Sequence, residues 1–229
     1  MSSTKTFASR VENVVDLKPE ILKATQETFT MLGISVTTGV IIGLMLGIIL
    51  YITRPGSLYQ RHAFYKVNSI VVDFFRAFPF IILMVALSPL AKKVAGTTIG
   101  PIAASVTLTI AAVFYFARLV EQNLREVDKG VIEAALSMGA DPKTIILKVL
   151  IPEALSGIVS SVTILTISIL SASAAAGMIG GGGLGDLAIR HGHMRYQPEV
   201  IVTIMIILTA MVILIQSLGN KISRSLDKR

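Results

Sequence analysis

The sequence predicts an all-α membrane protein with five transmembrane helices and a charged, amphipathic helical insert between the third and fourth. Of its 229 residues, 53% are hydrophobic and only 15% are charged, where a soluble domain would be about a quarter charged. The apolar residues fall in runs of about twenty, the length a helix needs to cross a hydrocarbon core. The basic residues concentrate in short loops beside those runs, so the net charge of +7 reflects topology rather than nucleic-acid binding. Cysteine is absent, which excludes disulfides, thiolate catalysis and cysteine-held metals.

Three segments follow in order: a polar, amphipathic stretch at 1–26, a transmembrane domain at 27–220 and a basic tail at 221–229. In the first, Val11, Val14, Val15, Leu17, Ile21 and Leu22 outline an amphipathic surface helix. Pro19 suits the first turn of a helix running on into the membrane. A frayed tail lying partly on the membrane fits the same residues equally well. The stretch holds acids and no continuous apolar run, unlike a cleaved signal peptide.

The first span is expected at 29–52, ended by Arg54-Pro55-Gly56. Within it Gly39, Gly43 and Gly47 recur every four residues and so share one helix face. Lipid gives no hydrophobic reward for helix association, and small residues permit the close approach that dispersion needs. That face packs against another helix, within the chain or in a second copy.

The remaining spans are expected at 68–91, 98–119, 154–177 and 198–219. Asp73 and Arg76 lie in or near the second span at i, i+3 spacing, where ionisable groups normally face a partner or a wet cavity. A structural ion pair is the favoured reading, with Arg76 lining a pathway as the alternative. Pro79 removes a backbone hydrogen bond and should kink the helix. Ser171, Ser173, Ala174, Ala175 and Met178 end the fourth span, mostly in small residues that pack closely and leave a narrow constriction.

An odd number of spans puts the termini on opposite sides of the membrane. With the tail inside, 12 Lys and Arg lie on the inner segments against 8 outside, the bias the positive-inside rule describes.

The insert at 128–152 is the informative loop. Asp128 can cap a helix over about 129–138, and Gly139 can end it in a left-handed cap. Asp141 and Pro142 then read as an N-cap and first-turn proline, opening a second helix through 143–151 that Pro152 closes. Glu133 presents one charge, and Ala134, Ala135 and Gly139 leave little side chain between the backbone and a docking partner. An amphipathic connector lying on lipid is the plainer reading of the same pattern.

Glu133-Ala134-Ala135, then Gly139, then Val149-x-Ile151-Pro152 resembles the Glu-Ala-Ala…Gly…Ile-x-Leu-Pro signature of permease subunits of bacterial ABC importers, with Val149 and Ile151 as conservative departures. Phe75-Arg76-Ala77-Phe78-Pro79-Phe80, Gly96-Thr97-Thr98-Ile99-Gly100 and Gly182-Gly183-Leu184-Gly185 are similar to the methionine-importer permease family, and the likeness runs from about Glu27 into the tail.

That resemblance implies a homodimeric pore with a cytoplasmic C-terminus in the bacterial inner membrane. It implies an extracytoplasmic binding protein, and a separate ATPase that holds ATP and Mg and receives the coupling helix in a groove. Methionine would cross by alternating access, with the gate around Ser173 to Met178. A permease for another small amino acid or nutrient is the alternative.

Other function classes fare worse. No G-x-x-x-x-G-K-[ST] occurs, so the chain carries no loop for ATP phosphates and no cofactor is expected in it. Gly180 to Gly185 formally fits G-x-G-x-x-G, but it follows a membrane helix rather than a strand, so a tight turn or re-entry is expected. Catalytic residues are not expected, because paired carboxylates, a nucleophile with a base and a metal cluster are all missing. A secondary transporter or channel would show inverted repeats or charges lining an ion site, and no internal repeat is visible. His191 and His193 lack the further ligands a zinc site needs and are expected on a solvated outer loop touching a binding protein.

Overall fold

The computed structural model describes residues 7–226; the first six residues and the last three of the basic tail lie outside the described residues. Every regular element among them is helical. The order is α1 (Phe7–Asp16), α2 (Lys18–Thr53), α3 (His62–Ala77), α4 (Phe80–Ala86), α5 (Ser88–Ala95), α6 (Pro101–Arg125), α7 (Lys129–Ser137), α8 (Pro142–Ile145), α9 (Ile151–Gly177), α10 (Gly183–Leu187) and α11 (Pro198–Leu226). A π-helical turn at Ile146–Leu150 joins α8 to α9, and another at Ala188–His193 follows α10.

Four helical stretches are long and apolar enough to cross a membrane, and a fifth span results if the bent pair α3–α4 is counted as one. The second span is therefore not a continuous helix over 68–91. The cause is local: Pro79 drives the preceding residue out of the helical region, and Phe78 adopts φ −89°, ψ 137°. The two helices meet at 105°. α5 follows with Pro89 in its first turn and ends at Gly96, whose left-handed amide donates to the Lys92 carbonyl.

Of the two readings of the N-terminal stretch, the structure shows the helix that runs on into the first apolar span. α2 begins at Lys18 with Pro19 in its first turn and runs 36 residues without a break, about 54 Å at 1.5 Å per residue. Its amphipathic start continues directly into the apolar stretch, crossing 26–27 as helix. α6 and α11 likewise outrun the expected spans, ending at Arg125 and Leu226.

The chain divides into two compact units, with α2, α6, α9 and α11 each giving residues to both. One comprises 36–79, 109–167 and the described residues from 215 onward. Its core joins α2, α3 and α6 through Leu50, Val72 and Ala117, with Leu46, Tyr65 and Phe114 packed on them. The glycine stripe of α2 faces α6. A Cβ on Gly39 would fall 2.5 Å from that of Ala112, and one on Gly47 would fall 2.6 Å from the Ala117 carbonyl and the Val120 Cβ. The packing face is thus internal to the chain. Phe75 stacks on Phe114 with centroids 4.3 Å apart, which extends the α3–α6 contact.

The other unit comprises 80–108, 168–214 and the described residues up to 35. α1 is helical, and Asn13 donates to Glu199 at the start of α11 at 2.7 Å. In α2, Ser35 donates to the Ser105 carbonyl of α6 at 3.3 Å. Met31, Leu184 and Leu187 are fully buried in the same unit.

Candidate functional site

The insert folds as a helix–turn–helix whose turns are set by its caps. Asp128 Oδ1 accepts from the Gly130 amide at 2.6 Å and starts α7. At the other end the Gly139 amide donates to the Leu136 carbonyl, and the Ala140 amide reaches back to that of Ala135. This pair of bonds needs a left-handed residue between helix and turn, and Gly139 supplies it at φ +79°. Asp141 Oδ2 then accepts from the Thr144 amide at 3.2 Å, and Pro142 takes the first turn of α8. The hydrogen bond from Thr144 holds the Asp141 carboxyl below the usual carboxylate range.

Pro152 does not close this second helix, contrary to expectation. Proline has no amide to donate and its ring crowds the carbonyl four residues back. The wider π turn before it accommodates that defect, with the Ile151 amide bonding to Ile146, and the chain continues into α9. Glu133, Ala134 and Gly139 are exposed, whereas Ala135 packs inward at 4% exposure. The sequence reading passed over Leu136 and Met138, whose apolar side chains stand in the open beside them. Their signal was apolar residues in a charged loop that has no need of them for its own caps. A groove alongside is lined by Tyr51, Arg54 and Leu58 on one wall and Lys129, Ile132 and Glu133 on the other.

The end of α9 carries the second group of expected residues. Ser171 and Met178 are exposed, Ala174 and Ala175 are half-buried, and buried Ser173 donates to the Leu170 carbonyl at 2.7 Å. The glycines after it turn the chain back sharply, with positive φ at Gly180, Gly182 and Gly183. The returning α10 lies backbone to backbone on α9. A Cβ on Gly177 would sit 2.6 Å from the Gly185 carbonyl carbon, and one on Gly185 would sit 2.6 Å from Ala174 Cα.

Asp73 and Arg76 pair at 3.5 Å, with Arg76 over the Tyr115 ring and Pro79 at the α3–α4 break. They are the edge of a larger cluster that the sequence reading missed. Arg118 donates to Asp73 at 2.7 Å and to the Ser69 hydroxyl at 2.9 Å. Glu121, fully buried, accepts from Arg118 and Arg125 at 2.5 Å each and from Tyr65 at 3.1 Å. Ending the third span at 119 put Glu121 in a loop, although Arg118, Glu121 and Arg125 have the i, i+3 and i+4 spacing of helical ion pairs.

The two histidines separate. His193 lies at the end of the π turn after α10. His191 is 1% exposed, with Nε2 3.0 Å from Glu20 and Nδ1 3.4 Å from Arg195. A solvated loop is therefore the wrong description for His191, because Glu20 of α2 comes from far along the chain to meet it. Among the described residues no three His, Asp or Glu side chains converge as metal ligands would.

Comparison with known proteins agrees with this architecture. Residues 31–229 match the family model described as binding-protein-dependent transport system inner membrane component. The chain is 44% identical over 209 residues to a Vibrio cholerae protein named probable D-methionine transport system permease protein MetI, covering 91% of this chain and 93% of that one. It is also 44% identical to the methionine import system permease protein MetP of Bacillus subtilis, over 94% and 96% of the two chains. A chain of the MetNI methionine ABC transporter in an inward-facing conformation superposes with a TM-score of 0.90 at 39% identity, covering 93% of this chain and 99% of that one. On the extent of these matches, the chain belongs to the family of binding-protein-dependent transport system inner membrane components.

Proposed function

We propose that the chain is the permease subunit of an ATP-driven methionine importer of the bacterial inner membrane. The observation that carries this reading is the agreement with a MetNI chain in fold and sequence over nearly the full length, supported by relatives named for methionine transport at 44% identity. The permease works as a homodimer, and a separate ATPase binds and hydrolyses ATP with Mg. An extracytoplasmic binding protein delivers the substrate.

Glu133, Ala134, Gly139, Asp141 and Pro142 form the coupling element, with Ala135 anchoring it from inside. Its well-capped turns present a fixed shape to the ATPase, and the exposed Leu136 and Met138 add apolar surface to bury there. Closure of the ATPases displaces this element, and the two permease copies rock between inward and outward states. Ser171, Ser173, Ala174, Ala175 and Met178 form the gate. Asp73, Arg76 and Pro79 shape the second span rather than the pathway, which fits the pairing of both charges within the chain. A net-neutral solute with an apolar side chain suits a passage with few free charges.

Reconstitution with its cognate ATPase and binding protein tests the reading. ATP-dependent uptake of labelled methionine is expected, and transport of another solute that unlabelled methionine fails to compete would refute the assignment. Reporters fused after Arg229 and within 140–145 should read cytoplasmic, and one at 190–195 external. An external C-terminal reporter would overturn the five-span topology.

A further inference from the structure

Two side chains of α2 hold the glycine-rich turn. Glu27 Oε2 accepts from the Gly183 amide at 2.8 Å, and Thr28 Oγ1 accepts from the Leu184 amide at 3.0 Å. These are the first amides of α10, which have no partner within their own helix. Thr28 also donates to the Ala24 carbonyl at 3.0 Å, which fixes its hydroxyl with a lone pair toward Leu184. The approach is close enough to require glycine. A Cβ on Gly183 would lie 2.7 Å from Thr28 Oγ1 and from Met31 Cε, and one on Gly182 would lie 2.9 Å from Glu27 Oε2.

The opposite flank of α10 rests on the end of α9. Gly185 lies against Ala174 and Gly177 against Gly185, through backbone contacts with no side chain between them. Contacts of that kind leave no flexible groups to absorb a displacement, so a shift of α10 is passed directly to α9. α10 is a wedge seated by α2 on one flank and bearing on residues 174–177 with the other.

We propose that Glu27 and Thr28 are positioning residues for the gate. They fix α10, and through its backbone the segment of α9 that ends at Met178. Neither residue needs to touch the substrate. The proposal rests on the reading of residues 171–178 as the gate.

The absence of cysteine makes the test direct, since Met178→Cys places a single thiol in the permease chain, and labelling is read on that chain within the complete permease–ATPase–binding-protein complex. The rate of maleimide labelling at that thiol reports the exposure of the segment. A buried amide left without an acceptor shifts a local equilibrium roughly tenfold. Glu27→Ala and Thr28→Val are each expected to change the labelling rate by about that factor. Glu27→Gln and Thr28→Ser, which keep an acceptor oxygen, should label at the parental rate.

Parental labelling in both Glu27→Ala and Thr28→Val overturns the proposal. So does failure of the conservative pair to retain the parental rate. If Glu27→Ala and Thr28→Val both fail to assemble with the ATPase while the conservative pair assembles, the two residues are structural only and the proposal falls. The gate reading fails separately, when labelling of the chain carrying Met178→Cys alone is the same with and without ATP.

Discussion

Replacing Glu121 with Leu should destabilise the protein by about 3 kcal/mol, the lower end of the range for removing one partner of a buried ion pair. The lower end applies because the two cations it leaves behind differ in exposure. Arg125 is 42% exposed and can turn to water, whereas Arg118 is 12% exposed and loses one of its two carboxylates. Arg118 still keeps Asp73 at 2.7 Å and the Ser69 hydroxyl. For a chain of this length that loss corresponds to a fall in Tm of about 6–12 °C, readable as loss of the monodisperse peak of a fluorescent fusion heated in detergent. Adding Arg118→Leu should recover most of it, since apolar replacement of a whole buried pair is close to neutral and Asp73 retains Arg76 at 3.5 Å. The reasoning is refuted if Glu121→Leu melts within a degree of the parent, or if the double variant is less stable than the single.

Other outcomes follow from the same geometry. Gly47→Val should sharply lower the amount of folded protein in the membrane, since even its Cβ would stand 2.6 Å from the Ala117 carbonyl, while Gly33→Ala, with nothing within 4 Å of its Cβ, should express normally on an immunoblot. Gly139→Val should insert in the membrane yet lose stimulated ATP hydrolysis, because a β-branched residue resists φ +79° and the turn must rearrange; Glu133→Arg should do the same by reversing the charge shown to the partner, and normal transport by both would remove the coupling assignment. The Asp141 cap carries a folded-state pKa below its ordinary 3.8, so its contribution is complete above that value and is lost as pH falls through the lower folded one. Limited proteolysis of the 138–144 turn should therefore stay flat from neutral pH to about 5 and rise only below about 4.

What the sequence shows plainly here is what its nearest neighbours determine. The caps at Asp128, Gly139 and Asp141 were legible because each bond closes within five residues. The end of α8 was not, since Pro152 reads as a stop only if the helix cannot widen, and the π turn at Ile146–Leu150 lets it. The kink at Pro79 was legible in kind, but its 105° depends on the extended backbone of Phe78. The start of α2 was legible in Pro19, which marks the first turn of a helix running on into the membrane and lies one residue after α2 begins at Lys18. His191 was misplaced because its partner Glu20 lies 171 positions away, and no local pattern signals a contact of that range.

The glycine stripe and the charge cluster together show why α6 could not be read from its own composition. Helix association in lipid gains nothing from hydrophobic burial, so it depends on close packing or on polar contacts. α6 uses both within one unit. Ala112, Ala117 and Val120 meet the glycines of α2, where contact is limited only by backbone volume. Arg118, Glu121 and Arg125 meet Tyr65, Ser69 and Asp73 of α3, where contact is limited by the need to leave no buried charge unmatched. Small residues on α2 announce that a close partner exists without naming it. The charges on α6 announce that a partner must be polar, and the answer sits on a helix about fifty residues earlier. The first signal survives many changes of partner, whereas the second ties two particular helices together, which is why the ion cluster carries more of the specificity of this unit than the stripe does.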